Sequence, residues 1–540
     1  MNIIAAVNVN LDESPMGLSS RLREPLENRP VLRRTIERAL RVEGASGVHV
    51  LTPPSQVEEV RAILDGLDVR IETHNAPAPP YQALVRAGRF WGLDGWRGGV
   101  GSLCVFDEDF NAPLLQGLVA KTRADAVMSI PGAAPLLDAD LLSSMIAHFR
   151  ANIDMARMTI MQAPPGLNAI IVARDIIEQL VGVGMPPGAM LVYQPDAPAP
   201  DLTGREACYR PDAAIVRASG RLLCDTSRSV ERVRRIMAAG GDTWNAATIC
   251  RWLSDVDQQH LVNTPDDIEI ELTTEDQFGA GDLFNPRGDA VPTRGPIRLT
   301  AIERIAESIA GVDDVRIVLA GFGEPTLHPE FPGICRALRE AGAGAICVRT
   351  NGVALTGAAE AALFDTPVDV VEVMIDAVSA ETYQRVHGLN AYDKVIANLN
   401  RWAALRMERA SVRPLLVPSF VKSHDTLAEL EPFVDTWQRQ LGAYAVRGAS
   451  HYAGQRPDRA VTSMSPPRRD ACRRLFSRIV VLADGTVTTC DQDYSARQAI
   501  GSILDHSLES LWRGEALTAV RANDPGRCAL CPKCDEWHRP

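Results

Sequence analysis

Short apolar runs alternate with segments of helical period along most of the chain. "MNIIAAVNV" reads as a strand, and "RPVLRRTIERALRV" follows as a helix with Leu32, Ile36, Ala39 and Leu40 on one side. "GVHVLTPP" is a second strand, and "SQVEEVRAILDGL" is a helix with a serine placed as its N-cap. "GSLCVFDEDF" reads as a strand ending in acids, "DAVMSIPG" as another strand and "DADLLSSMIAHFRAN" as another helix. Alternation of this kind predicts a parallel α/β sheet up to about residue 250.

After a connection, "WLSDVDQQHLVNTPDD", the alternation resumes. The strands are "IEIELTT", "VRIVLAGFGEP", "AICVRTNG", "VDVVEVMIDAV", "RPLLVPSFV" and "AYAVRGAS". Helical patterns lie between them, as in "LTAIERIAESIAGV" and "AYDKVIANLNRWAALR". About six β/α units predict a partial barrel. "GQRPDRAVTSMSPPRRD" is a Pro/Arg-rich linker, and "SRIVVLADGTVTTCDQD" is a hairpin turning at Asp-Gly.

Composition narrows the class. The 540 residues suggest three or four domains at about 150 residues each. The 46% hydrophobic and 23% charged content is that of a globular protein. A net charge of −12, with no basic block interleaved with aromatics, argues against a nucleic-acid partner. No apolar run reaches ~18 residues, so no membrane span is expected, and the first residues lack a signal-peptide pattern. A cytoplasmic location is the default expectation.

The eleven cysteines change the picture more. Six are scattered, while Cys472, Cys490, Cys528, Cys531 and Cys534 crowd the end of the chain. "CALCPKC" is a metal-site pattern rather than a disulfide framework, because the C-x-x-C gap turns two sulfurs toward one ion. Cys472, Cys490, Cys531 and Cys534 make a four-thiolate set for a [4Fe–4S] cluster or for zinc, and spacing does not decide between them. Cys528 is a fifth candidate. In "LAGFGEPTLHPEF", a strand ends in Gly321-Phe322-Gly323 and opens a backbone cradle where Glu324 can accept hydrogen bonds, with Pro325 stiffening the exit.

From about residue 266 onward these motifs resemble the radical S-adenosylmethionine (SAM) proteins with a C-terminal SPASM or twitch-type extension. "IEIELTT" resembles the first barrel strand, "GFGEP" the Gly-Gly-Glu-Pro motif and "RTNG" the third-strand end. "MIDAVSAETYQRVHG" and the segment from "VVLADGTVTTCDQD" to Trp537 follow in the family's order. The resemblance implies cofactor-binding roles for Gly321, Gly323, Glu324, Pro325, Asn351 and Asp376, with SAM as the candidate ligand. It implies metal-binding roles for Cys472, Cys490, Cys531 and Cys534. One feature departs from the family. The barrel's C-x-x-x-C-x-x-C motif falls on Asp276, Ala280 and Leu283, and there is no cysteine between Cys250 and Cys335. Its replacement, "EDQFGAGDLFNPRGDAVPTRGP", could cross the barrel mouth with Arg287 and Arg294 facing an anionic ligand, the alternative being a solvated loop.

The N-terminal part resembles nucleotide-sugar nucleotidyltransferases of the cytidylyltransferase type, through "SSRLREPLENRPVLRRTIERAL", "SIPGAAPLLDADLLSSMI" and "APPGLNAIIVARDIIEQL". Arg21 keeps the phosphate-loop position, whereas the expected Gly-Asp reads Gly132-Ala133. Asp107, Glu108 and Asp109 form an acidic cluster that could hold a divalent ion.

The expected fold class is thus α/β, in three parts. Residues 1–255 form a GT-A/Rossmann-like nucleotidyltransferase-type domain, residues 266–460 a partial (β/α)6 TIM-like radical SAM barrel, and residues 468–540 a small iron–sulfur domain. The expected function is that of an iron–sulfur protein acting on or binding a nucleotide-linked sugar in surface-glycan synthesis, served by an electron-donor protein. The alternative is a non-catalytic scaffold or sensor. No catalytic residue is singled out.

Overall fold

The computed structural model describes the chain except residues 198–203, 258–259, 356, 367, 468, 470–471, 523–527 and 540. It divides into two compact units, Met1–Gln258 and Gln259–Pro540.

The first unit is built on a seven-stranded sheet. Its strands are β1 Ile3–Asn8, β2 Val48–Thr52, β3 Arg70–Thr73, β4 Ala126–Pro131, β5 Met158–Met161, β6 Ile170–Ala173 and β7 Cys208–Tyr209. Their order is β3-β2-β1-β4-β6-β5-β7. Side chains alternate across a strand, so Ile3, Ala5 and Val7 enter one core while Ile4 and Ala6 enter another. Helix Ala139–Asn152 covers the first face with Leu142, Met145, Ile146 and Phe149. Helix Ala112–Thr122 covers the second with Leu115, Leu118 and Val119. Burial on both faces explains why these strands read as continuous apolar runs.

Three expectations fail here. The sheet is mixed, because β6 runs antiparallel to both β4 and β5. "GSLCVFDEDF" is not a strand: it forms two single 3-10 turns, Val100–Ser102 and Val105–Asp107. The second turn is fixed by Asp107, whose carboxylate accepts from Cys104 N at 2.7 Å, a side-chain bond that competes with a strand ladder. Ser55 is not an N-cap, since a 3-10 turn at Pro54–Gln56 precedes the helix Val57–Ile63.

In the second unit six strands run parallel in chain order: β8 Asp267–Glu271, β9 Arg316–Ala320, β10 Ala345–Thr350, β11 Val370–Met374, β12 Leu415–Lys422 and β13 Ala445–Gly448. Helices stand between them, including Ala380–His387, which the sequence reading passed over. The sheet continues past β8. Strand β14, Arg478–Val481, pairs parallel with β8 and then antiparallel with β15, Thr486–Thr488, which pairs with β16, Ala499–Ser502. Ile268, Ile270, Ile317, Leu319, Ile346 and Val348 point outward to the helices. The alternate positions Glu269, Glu271, Arg349 and Glu372 give the barrel a charged interior. No helix among the described residues is long and apolar enough to cross a membrane.

Candidate functional site

The Gly-x-Gly turn leaves β9 at Ala320. A Cβ on Gly321 would lie 2.6 Å from the Glu271 Cβ, and one on Gly323 would lie 2.2 Å from Thr273 O. Gly321 also has φ +96°, in the region glycine tolerates. Gly321 therefore admits Glu271 and Gly323 admits the chain's own segment 273–275, rather than leaving an open cradle. Glu324 N donates to Glu275 O at 2.7 Å, closing the contact.

Glu324 is fully buried and saturated. It accepts from Thr326 N (3.2 Å), Thr326 Oγ1 (2.5 Å), Thr350 Oγ1 (2.8 Å) and Asn351 N (2.8 Å). Burial pushes its pKa up, against the hydrogen bonds from Thr326 and Asn351. Pro325 opens the 3-10 turn Pro325–Leu327. Asn351 spends its side chain on Gln277 Oε1 (2.6 Å), Asp276 Oδ1 (3.3 Å) and Val353 N (3.0 Å).

The loop that replaces the cysteine motif is held by charge. Asp276 and Arg287 meet at 3.0 Å, with side chains 1% and 2% exposed. The contact is not aligned as a hydrogen bond: Asp276 Oδ2 and Arg287 Nε and Nη1 have no hydrogen-bond partner among the described residues. Asp282, directly after Gly281, accepts from Phe284 N and Asn285 N at 2.8 and 2.9 Å. It also faces His387 Nδ1 at 3.5 Å, while Asp376 faces His387 Nε2 at 3.4 Å. Burial alone would lower the His387 pKa, but the two carboxylates outweigh it and raise the value to about 9. Phe278 stacks on the imidazole at 4.2 Å between centroids. His387 is thus a lock between strand and loop. The side chain of Ala280 lies outside the described residues; Leu283 N donates to Val386 O at 2.8 Å.

Arg287 and Arg294 do not face a ligand, contrary to the sequence reading. Arg294 forms a bidentate pair with Glu271 at 2.6 and 3.0 Å, and Glu271 also accepts from Phe322 N and Ala483 N at 3.1 Å each. A guanidinium buried beside a carboxylate is satisfied internally and has no reason to turn outward. Among the described residues this mouth supplies no thiolate, so it does not fit a three-cysteine iron site.

Below the mouth, a cavity of about 610 Å³ reaches Arg349, Met374, Asp376, Lys422, Arg447 and Asp491. Arg349 and Arg447 converge on Glu372 at 3.3 and 2.5 Å. Burial would raise the Glu372 pKa, but the two cations hold it at about 2.

The C-terminal thiols share one neighbourhood. Besides burial, the charge of Cys531 raises the Cys472 pKa, that of Cys534 raises Cys490, and that of Cys472 raises Cys534, which is pushed up to about 12. Arg474 acts on Cys472, Cys490 and Cys534 in the opposite direction. Cys534 Sγ accepts from Glu536 N at 3.3 Å, and Gln498 Nε2 donates to Cys531 Sγ at 3.5 Å. Hydrogen bonds to sulfur beside a cation suit thiolate ligands, so this donor set fits a cluster. The donor chemistry is present without a formed cage: among the described residues no three Cys, His, Asp or Glu are drawn together for a metal. Cys528 is apart, buried with Sγ 3.4 Å from Val520 O.

The first unit has its own cavity, of about 230 Å³, reached by Asn8, Arg21, His74, Arg86, Asp109 and Asp225. The acidic cluster expected there is dispersed. Asp107 turns to the backbone at Cys104 and Gly188, and Glu108 lies between Arg89 (2.9 Å) and Arg221 (2.7 Å). Only Asp109 keeps to the cavity without a cation, accepting from Asn8 Nδ2 at 2.9 Å, and burial raises its pKa to about 7. Arg221 and Asp225, which form a buried pair, were not singled out from sequence. Asp225 precedes the Thr226 capping box, and that box was the available signal.

Residues 285–430 match the Radical SAM superfamily, and residues 472–535 match SPASM, an iron–sulfur cluster-binding domain. The second unit is accordingly of the radical SAM/SPASM type. The first match begins at Asn285, after β8 and the three positions of the replaced cysteine motif. A protein of Treponema pallidum (strain Nichols), described only as uncharacterized, is 28% identical over 236 residues, 41% of this chain and 64% of its own. The chain therefore spans less than two thirds of that relative. Among solved structures, BtrN in complex with AdoMet and 2-DOIA is 18% identical with a TM-score of 0.35, over 50% of this chain and 92% of BtrN. A cytidylyltransferase from Leptospira borgpetersenii is 12% identical with a TM-score of 0.33, over 48% of this chain and 98% of its own.

Proposed function

We propose that this chain is a one-cluster iron–sulfur protein of the radical SAM/SPASM type that binds a nucleotide-linked sugar of surface-glycan synthesis and does not cleave SAM reductively. The observation that carries the reading is the barrel mouth. The side chains of Asp276, Arg287, Glu324 and Asn351 are buried there and turned on one another, with Asp276 at the first position of the family's cysteine motif. Cys472, Cys490, Cys531 and Cys534 would hold the single cluster, which would supply electron-relay or structural chemistry, with an electron-donor protein as partner. The nucleotide-sugar assignment rests on the N-terminal motifs and on the cavity beside Arg21, and a cytoplasmic location accords with both.

Incubating anaerobically reconstituted protein with SAM and a strong reductant should yield no 5′-deoxyadenosine. Stoichiometric 5′-deoxyadenosine overturns the reading. Iron and sulfide analysis with Mössbauer spectroscopy should show one cluster per chain and separates iron from zinc.

The scaffold or sensor reading draws on a different observation. Glu108 and Asp225, which line the first unit's cavity, are both tied to Arg221, leaving few free carboxylates for a catalytic metal. Saturable calorimetric binding of a CMP-sugar without turnover supports it, and turnover removes it.

A further inference from the structure

Charge is unevenly matched around the 610 Å³ cavity of the second unit. Arg474, Arg478 and Arg539 line one side and meet Asp491 and Glu536. That side also faces the cysteines, whose thiolates would absorb further positive charge. The other side is formed by the C-terminal ends of β10, β12 and β13. It carries Arg349, Lys422 and Arg447; Glu372 is shared by the two arginines, and Glu269 and Asp491 also act on Arg349. Asp376 also lines the cavity but is engaged by His387 and by Val421 N, which donates at 2.5 Å. Lys422 has no ion-pair partner among the described residues. Lys422 is thus unmatched and Arg447 shares its acid with Arg349, in a semi-enclosed space where unbalanced charge interacts more strongly than in open water.

We infer that this side of the cavity binds the phosphate group of an anionic small molecule, with Lys422 and Arg447 as direct ligands of the phosphate oxygens. Cations approaching from three strands suit a tetrahedral, multiply charged anion better than a planar carboxylate. The volume lies in the range of small-molecule sites, and Phe284, Phe420 and Tyr452 add apolar wall for the remainder of the ligand. The inference deepens the proposed function by naming the chemical class of its ligand.

Inorganic pyrophosphate is the probe, titrated calorimetrically into the full-length, cluster-loaded protein. Each charge-assisted contact contributes roughly 1.5–3 kcal/mol, so the double variant Lys422→Gln/Arg447→Gln should weaken binding by at least about tenfold. Arg61→Gln, an exposed surface arginine of the other unit, should leave this binding unchanged. Iron content and melting temperature verify that the variants fold. The inference is overturned if wild-type protein shows no saturable heat, or if the double variant binds as the wild type does. It is also overturned if Arg61→Gln alone abolishes binding. Failure here differs from failure of the proposed function, which is read by 5′-deoxyadenosine formation. Pyrophosphate binding without CMP-sugar binding keeps the phosphate site and removes the sugar assignment.

Discussion

The barrel mouth and the C-terminal thiol cluster are two answers to one problem, that of filling the space around a metal site. At the mouth the polar groups pair with one another: Asp276 with Arg287, Glu271 with Arg294, and His387 with Asp282 and Asp376. At the C-terminus the four thiols have no mutual bond and accept only backbone or amide hydrogen atoms. On the proposed reading the difference separates a lost site from a retained one: charges at the mouth are paired with opposite charges of the chain itself, whereas the thiols are not paired with one another.

The largest expected effect comes from removing the thiols. Cys531→Ala/Cys534→Ala should take iron content from about four per chain to near zero. If half the iron remains, the mouth holds metal after all and the contrast dissolves. Next is Arg294→Met, which strands Glu271 in the interior with only backbone donors. It should cost about 3–5 kcal/mol in denaturant unfolding of the second unit. A loss under about 1 kcal/mol would show that Glu271 reaches water.

The His387 lock sharpens the comparison through pH. Its folded pKa is raised from the ordinary 6.5 to about 9, so its stabilisation is complete below about 6.5 and is lost as pH rises through 9. Two to three pKa units correspond to roughly 3 kcal/mol. Urea unfolding compared at the two ends of that window should show the decline, and His387→Gln should flatten it. An equal slope in the variant assigns the decline to other groups. The smallest effect is that of Thr326→Val, which removes one hydroxyl from Glu324. It should cost about 1 kcal/mol and be matched by Thr350→Val, both read as shifts in denaturation midpoint.

The sequence made the strands legible because buried parallel strands are apolar without interruption, as in "RIVLA" of β9 and "VVEVM" of β11. It made the iron–sulfur domain at the end of the chain legible because C-x-x-C spacing is local. What it hid was pairing at a distance. Glu108 meets Arg221 across 113 positions, and Glu271 meets Ala483 N across 212, so neither leaves a periodic trace. The same blindness led Arg287 and Arg294 to be read as ligand-facing: a charged loop looks alike in sequence whether its partner is a solute or a buried acid. "GSLCVFDEDF" failed for a local reason, since its apolar run is broken into turns by one aspartate bonding to the backbone three residues earlier.

Strand β14 leans on β8 in parallel register, with Ile268 opposite Ile479 and Ile270 opposite Val481. A chain ended before Cys472 would thus lose more than its sulfur ligands. It would bare a row of amides and carbonyls along the first barrel strand, an adhesive border on which copies can stack. Genetic truncation of the tail should therefore give aggregates in sedimentation rather than a tidy apoprotein, and cysteine substitutions, not deletions, are the sound way to ask what the metal does.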